Sequence, residues 1–147
     1  MPKLDLAAIP QTNTTGYPAP FAGEVQGRWV RRLAPAAGLT ELGASHVVLK
    51  PGAWSSQRHW HDTEDELVVM LSGEAVLIED QGRTILRPGD VCAWPKGRAN
   101  GHHLINESGE PCVFIAISGG TRTSAGYSDI DMLFTADGYV HKDGTPY

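Results

Sequence analysis

At 147 residues the chain has the length of one domain, 1–147, enough to bury a core without disulfide or metal staples. Twelve Lys plus Arg against 17 Asp plus Glu leave a net charge of −5, which weighs against a nucleic-acid partner. No apolar run reaches the roughly 18 residues of a membrane span, and Met1-Pro2-Lys3-Leu4-Asp5 lacks a basic-then-apolar leader, so the expectation is a cytoplasmic protein with no membrane partner.

Residues 1–27 read as an extended N-terminal arm, because Pro10, Pro18 and Pro20 oppose a helix. Short strands are then expected at 44–50, 56–61, 66–71, 74–79, 83–86, 91–94, 102–105 and 113–118. Turn chemistry separates them: Lys50-Pro51-Gly52, Ser72-Gly73, Asp80-Gln81-Gly82, Pro88-Gly89-Asp90 and Pro95-Lys96-Gly97. Residues 121–147 read as a short C-terminal tail with an Asp137-Gly138 hairpin turn. Strands at this spacing, with nothing long at a helical period, predict an all-β sandwich or barrel. Cys92 and Cys112 lie among apolar strand residues and are expected to be core thiols.

The chemistry concentrates in two segments. His59 and His61 stand two residues apart, so on a strand they share a face and Trp60 takes the other. Gln57 shares the histidine side and is a candidate for lining the cavity. Asp62-Thr63-Glu64-Asp65 reads as a polar turn, after which Glu66 opens an apolar run. On that run Val68 and Met70 share the face of Glu66 and are expected to form an apolar cavity wall. Downstream, His102 and His103 open another strand and face opposite ways. Imidazoles plus a carboxylate suit Fe, Mn, Co, Ni, Cu or Zn. His46 and His141 are expected to be non-ligands.

These segments resemble the two motifs of the cupin superfamily. Gly52, His59, His61, Glu66 and Gly73 match the first, with one extra residue before His59. Gly89, Pro95, Gly97, His102 and Asn106 match the second, with four residues instead of two between Gly97 and His102. The resemblance covers about 43–118 and implies an antiparallel jelly-roll β-barrel over that stretch. It also implies one divalent transition metal held by His59, His61, Glu66 and His102. His103 is the alternative to His102, and Asp65 the alternative to Glu66.

The resemblance further implies a metal-dependent small-molecule enzyme of dioxygenase or sugar/sugar-phosphate isomerase type. The alternative is a metabolite- or metal-binding module without turnover. The expected partners are a small polar organic molecule and a second copy of the chain, docked through the arm as a homodimer. Arg98, with Asn100, precedes His102 and is a candidate for holding a carboxylate or phosphate. Arg58, Arg83 and Arg87 lie near the motifs; Trp54, Trp60 and Trp94 are expected to pack in the core or a dimer interface. Tyr127, Tyr139 and Tyr147 are candidates for a lid. No nucleophile elbow, P-loop or dinucleotide fingerprint competes.

Overall fold

The computed structural model describes residues 3–147, so the first two residues of the expected arm lie outside it. The strands in chain order are β1 (Gln11–Thr12), β2 (Arg28–Arg32), β3 (Leu42–Leu49), β4 (His59–His61), β5 (Glu64–Ser72), β6 (Ala75–Glu79) and β7 (Gly82–Leu86). They continue as β8 (Val91–Trp94), β9 (His103–Ile105), β10 (Cys112–Gly120), β11 (Ala125–Tyr127), β12 (Leu133–Thr135) and β13 (Gly138–Val140). One turn of α-helix, α1 (Leu33–Ala36), follows β2, and no helix of the described residues is long and apolar enough to cross a membrane.

Every strand pair is antiparallel. One layer is a six-stranded sheet in the order β1-β2-β3-β10-β5-β8. The other is built from β13-β12-β11-β4 and β7-β6-β9, joined where His59 bridges His102 and Trp54 bridges Ile105. This is a jelly roll that is not closed into a complete barrel. Val47, Leu49, Val68, Met70, Leu77, Leu104, Cys112 and Phe114 form the core between the layers. Burying each of the larger side chains contributes roughly 1.5–3 kcal/mol.

Strand parity explains what the core leaves over. On β5 the residues Glu64, Val68 and Met70 are buried while Asp65 and Leu71 are exposed, so one face carries both the apolar wall and the carboxylates. The expected polar turn at 62–65 is therefore too long. Glu64 already pairs with Gly120 and shares the inward face of Glu66. Gly73 ends β5 at φ +72°, and a Cβ there would press on Cys112 and on the Pro111 carbonyl, so the turn needs glycine for both space and backbone.

Three expectations are corrected. The strand expected at 56–61 shrinks to β4, because the Gln57 amide bonds the Tyr17 hydroxyl instead of a neighbouring strand. The arm is not extended: it makes 3-10 turns at Leu6–Ala8, Ala19–Phe21 and Gly23–Val25, and β1 pairs with β2 of its own chain. Prolines are tolerated in the first turn of such helices, where no backbone N–H donor is needed. Residues 121–147 are more than a short tail with one hairpin turn. They supply β11–β13, and β11 hydrogen-bonds alongside β4. Strands three residues long are too short to show a period. The hairpin expected at Asp137-Gly138 is present between β12 and β13.

Candidate metal centre

Strand β4 projects His59 and His61 inward and leaves Trp60 outside, where its ring packs so tightly on Gly126 that a Cβ at 126 would overlap it. Strand β5 brings Glu66 to the same point. His59 Nε2 lies 3.1 Å from His61 Nε2, and His61 Nε2 lies 3.3 Å from Glu66 Oε2. One donor atom from each of these three residues falls within 4.8 Å of the others. His102 joins from the chain before β9, its Nε2 3.0 Å from Glu66 Oε2.

Two ligand atoms about 2.1 Å from one ion and at right angles to each other stand about 3.0 Å apart. The separations at this cluster are of that size, and two nitrogens and a carboxylate oxygen suit a transition metal. The donor set therefore fits one such ion. The outer contacts fit it too. His59 Nδ1 donates to the Gln57 carbonyl at 2.9 Å and His102 Nδ1 to the Asn100 carbonyl at 3.2 Å, which leaves each Nε2 with its lone pair. His61 Nδ1 is 3.3 Å from Glu64 Oε2, but it is buried and not aligned for a hydrogen bond. Glu64 thus stands directly behind a ligand-type histidine, a position no sequence motif marked.

The local electrostatics follow from burial. Burial pushes His59 down to about 3, against the attraction of Glu66, so this imidazole is neutral at physiological pH. Burial works to raise the Glu66 carboxyl, but the close imidazoles of His102 and His61 and the neighbouring His59 hold it well below the usual carboxylate range. Glu66 is a carboxylate and His59 a lone-pair donor, the states a metal requires.

The longer Gly97–His102 loop of the second motif has a structural use. Asn100 accepts from the Asp80 amide and donates to Glu79 Oε1, docking the loop onto the β6–β7 turn. Glu79 Oε1 also accepts from Trp94 Nε1 at 2.9 Å. Trp94 lies flat against His102, so loop and tryptophan together set the plane of that imidazole. Asp65, on the outer face of β5, instead accepts from the Lys96 amide.

The cluster opens into a cavity of about 330 Å³. His103, the alternative to His102, is buried and also lines this cavity, its Nδ1 donating to the Ser56 carbonyl at 2.9 Å. Three side chains expected at the cavity do not reach it. Gln57 turns to the arm, donating to the Phe21 carbonyl and Glu24. Met70, four residues along β5 from Glu66, is carried past the cavity into the core. Arg98 is exposed on the loop surface. Arg58, too, is committed elsewhere, bound to Asp80 and bidentate to Asp129.

More of the lining comes from outside the motifs, and of it only Tyr127 and Tyr139 are candidates from the sequence, as a lid. Arg28 and Arg32 arrive on β2, Arg122 precedes β11, and the arm adds Thr14, Thr15 and Tyr17. Tyr127 and Tyr139 line the wall, and Tyr127 is stacked 5.6 Å from His59. Burial raises the Tyr127 hydroxyl far above its ordinary value, so it stays protonated. Tyr147 packs away from the cavity against His141. No motif marks Arg28 or Arg122, and the cavity draws them from short strands and loops far along the chain.

The Cupin domain family model matches residues 45–118. A sugar phosphate isomerase of the cupin superfamily from Silicibacter pomeroyi is 40% identical; the match covers 99% of this chain and 96% of that one, with a TM-score of 0.94. A putative sugar phosphate isomerase from Acidithiobacillus ferrooxidans, 24% identical over 82% of this chain and 80% of that one, shares the fold at a TM-score of 0.73. The polyketide cyclase RemF from Streptomyces resistomycificus, 19% identical over 88% and 87%, shares it at 0.72. No curated protein matches the chain.

Proposed function

The chain belongs to the cupin family, and on that premise we propose that it is a metal-dependent isomerase of small sugar derivatives. The observation that carries the reading is the His59–His61–Glu66 cluster at one end of a cavity otherwise lined by arginines, tyrosines and hydroxyls. Such a lining suits a polyhydroxylated molecule better than an apolar one. The likeness to the Silicibacter pomeroyi isomerase supports the same reaction class.

In this reading His59, His61, Glu66 and His102 hold one divalent metal. When bound, the metal supplies a Lewis acid that fixes the carbonyl and neighbouring hydroxyl oxygens of the substrate and stabilises negative charge on them. The reaction moves one hydrogen from the hydroxyl-bearing carbon to the adjacent carbonyl carbon. The hydroxyl proton passes between the two oxygens, so nothing is consumed. His103 is the group we assign to carry the carbon-bound proton. It lines the cavity, burial favours its neutral form, and its Nδ1 is spent on Ser56, so Nε2 keeps the basic lone pair. Glu64 places a carboxylate behind His61, and Tyr127 and the arm exclude water.

The test is metal analysis of the purified protein, followed by proton NMR of aldoses, ketoses and their phosphates in D₂O with Mn, Fe, Co, Ni or Zn added. Isomerisation with deuterium incorporated at the shifted carbon is expected. Oxygen uptake without isomerisation would move the protein to the dioxygenase class, which can use the same donors. Ligand-induced stabilisation with no product from any substrate would make it a binding module.

A further inference from the structure

We propose that Arg28, Arg32 and Arg122 form an oxyanion subsite in the cavity that the metal ligands open into, built to hold the phosphate monoester of a phosphorylated substrate. The inference rests on the isomerase reading for the substrate's other end and deepens it by naming the substrate class.

Strand parity places two of the three. On β2, Arg28, Val30 and Arg32 line the cavity, while Arg31 turns outward to the Ile9 carbonyl and Trp29 lies under Lys50. Arg122 comes from the chain before β11, its guanidinium held 4.3 Å over the Phe134 ring. Among the described residues none of the three pairs with a carboxylate, and Glu66 is the one acidic residue in the lining. Elsewhere the chain does pair arginines, as Arg58 with Asp80 and Asp129 and Arg83 with Glu107 show.

Arg28 is the anchor. Its Nη1 donates to the Ser55 carbonyl at 2.8 Å, which fixes the plane of the guanidinium, while its Nε is buried without a hydrogen-bond partner. Burial is the main cause that depresses its basicity, and Arg32 and Arg122 add to this by repulsion. A half-buried cation with no carboxylate partner, beside two others, is costly unless something anionic neutralises it. A phosphate dianion offers three oxygens to the guanidinium forks and two charges against three. The hydroxyls of Tyr17, Tyr139, Thr14 and Thr15 stand in the same lining as further donors.

Arg28 and Arg32 stand on β2, which β3 and β10 separate from the Glu66 strand β5, and Arg122 precedes β11 beside β4, so the arginines and the metal ligands reach one cavity from different strands. A substrate that chelates a metal through its carbonyl end and carries phosphate at the other end spans such a cavity.

The test titrates inorganic phosphate, and acetate in parallel, into the full chain by calorimetry. Wild type is compared with Arg28→Met and with the double variant Arg32→Gln/Arg122→Gln, whose exposed side chains leave the core untouched. Phosphate affinity is expected to fall at least about tenfold in each, with acetate weaker throughout. Unchanged phosphate binding in the double variant would overturn the subsite, as would acetate binding more tightly than phosphate. In turnover, the double variant is expected to raise KM for a sugar phosphate by a much larger factor than that for the unphosphorylated sugar. Phosphate held through the arginines by a protein that isomerises nothing would sink the isomerase reading and leave the subsite standing.

Discussion

Trp94 lies parallel to His102, ring planes 5° apart and centroids 3.9 Å apart. The stack joins the last residue of β8 to the histidine before β9, and Glu79 holds both sides of it, directly through Trp94 Nε1 and through Asn100. The tryptophan thus acts on the site through the orientation of an imidazole.

Replacing Trp94 by alanine is expected to weaken metal binding by roughly 10–100-fold, the usual effect of losing a group that orients a ligand. Trp94→Phe keeps the stack and is expected to lose far less. Competition against a chelator of known affinity measures both; equal affinities in wild type and Trp94→Ala would refute the orienting role.

Metal loading is expected to stabilise the fold, because the donors meet only in the folded chain. At a free metal concentration about 100 times Kd the gain is about 2.7 kcal/mol. For a chain of this size that corresponds to a rise in Tm of roughly 5–10 °C, removed again by a chelator. Alanine at His59, His61 or Glu66 is expected to abolish the rise. A metal-induced shift that survives in His59→Ala would place the ion elsewhere.

Asn106 belongs to the second motif yet lies away from the cavity. Fully buried, it donates to the Leu49 and Glu110 carbonyls and accepts from the Ser108 amide and hydroxyl. Its backbone bonds Gly52 and Ala53, tying the end of the second motif to the start of the first. Asn106→Ala leaves buried backbone carbonyls unsatisfied and is expected to cost about 2–4 kcal/mol in denaturant unfolding. The metal stoichiometry of the folded fraction is expected to stay unchanged; a variant as stable as wild type would contradict this.

Both cysteines are expected to be inert in the native protein. Cys112 is buried in the core, and desolvation pushes its thiol up to about 11; Cys92 is also raised, chiefly by burial. For a pKa that high, roughly one molecule in a thousand carries the Cys112 thiolate at pH 8. An aromatic disulfide reagent is expected to react slowly with the folded protein and rapidly with both thiols in guanidinium. Fast native modification of Cys112 would show that the core opens readily.

The sequence by itself determined the all-β class and, through its resemblance, the jelly roll and the pair of motifs. The reason is local: turn residues punctuate short strands, and two histidines two apart must share a face of any strand. It could not determine how far the cavity extends. Gln57 and Met70 have the right parity, but the chain bends at 55–58 and each strand residue advances about 3.3 Å, so both miss the cavity. The same gap hid Glu64, which looked like turn because its partner, Gly120, lies far along the chain.

Only the tertiary structure decided who faces the metal ligands across the cavity. Tyr17 comes from the segment that reads as arm, Arg122 and Tyr127 from the one that reads as tail, and Arg28 from a stretch just past the arm that reads as no element; they meet because β2 and β11 pair with β3 and β4. A metal motif is short enough to be written in local spacing. The wall opposite it is assembled from long-range pairings, whose register depends on which faces the whole fold buries.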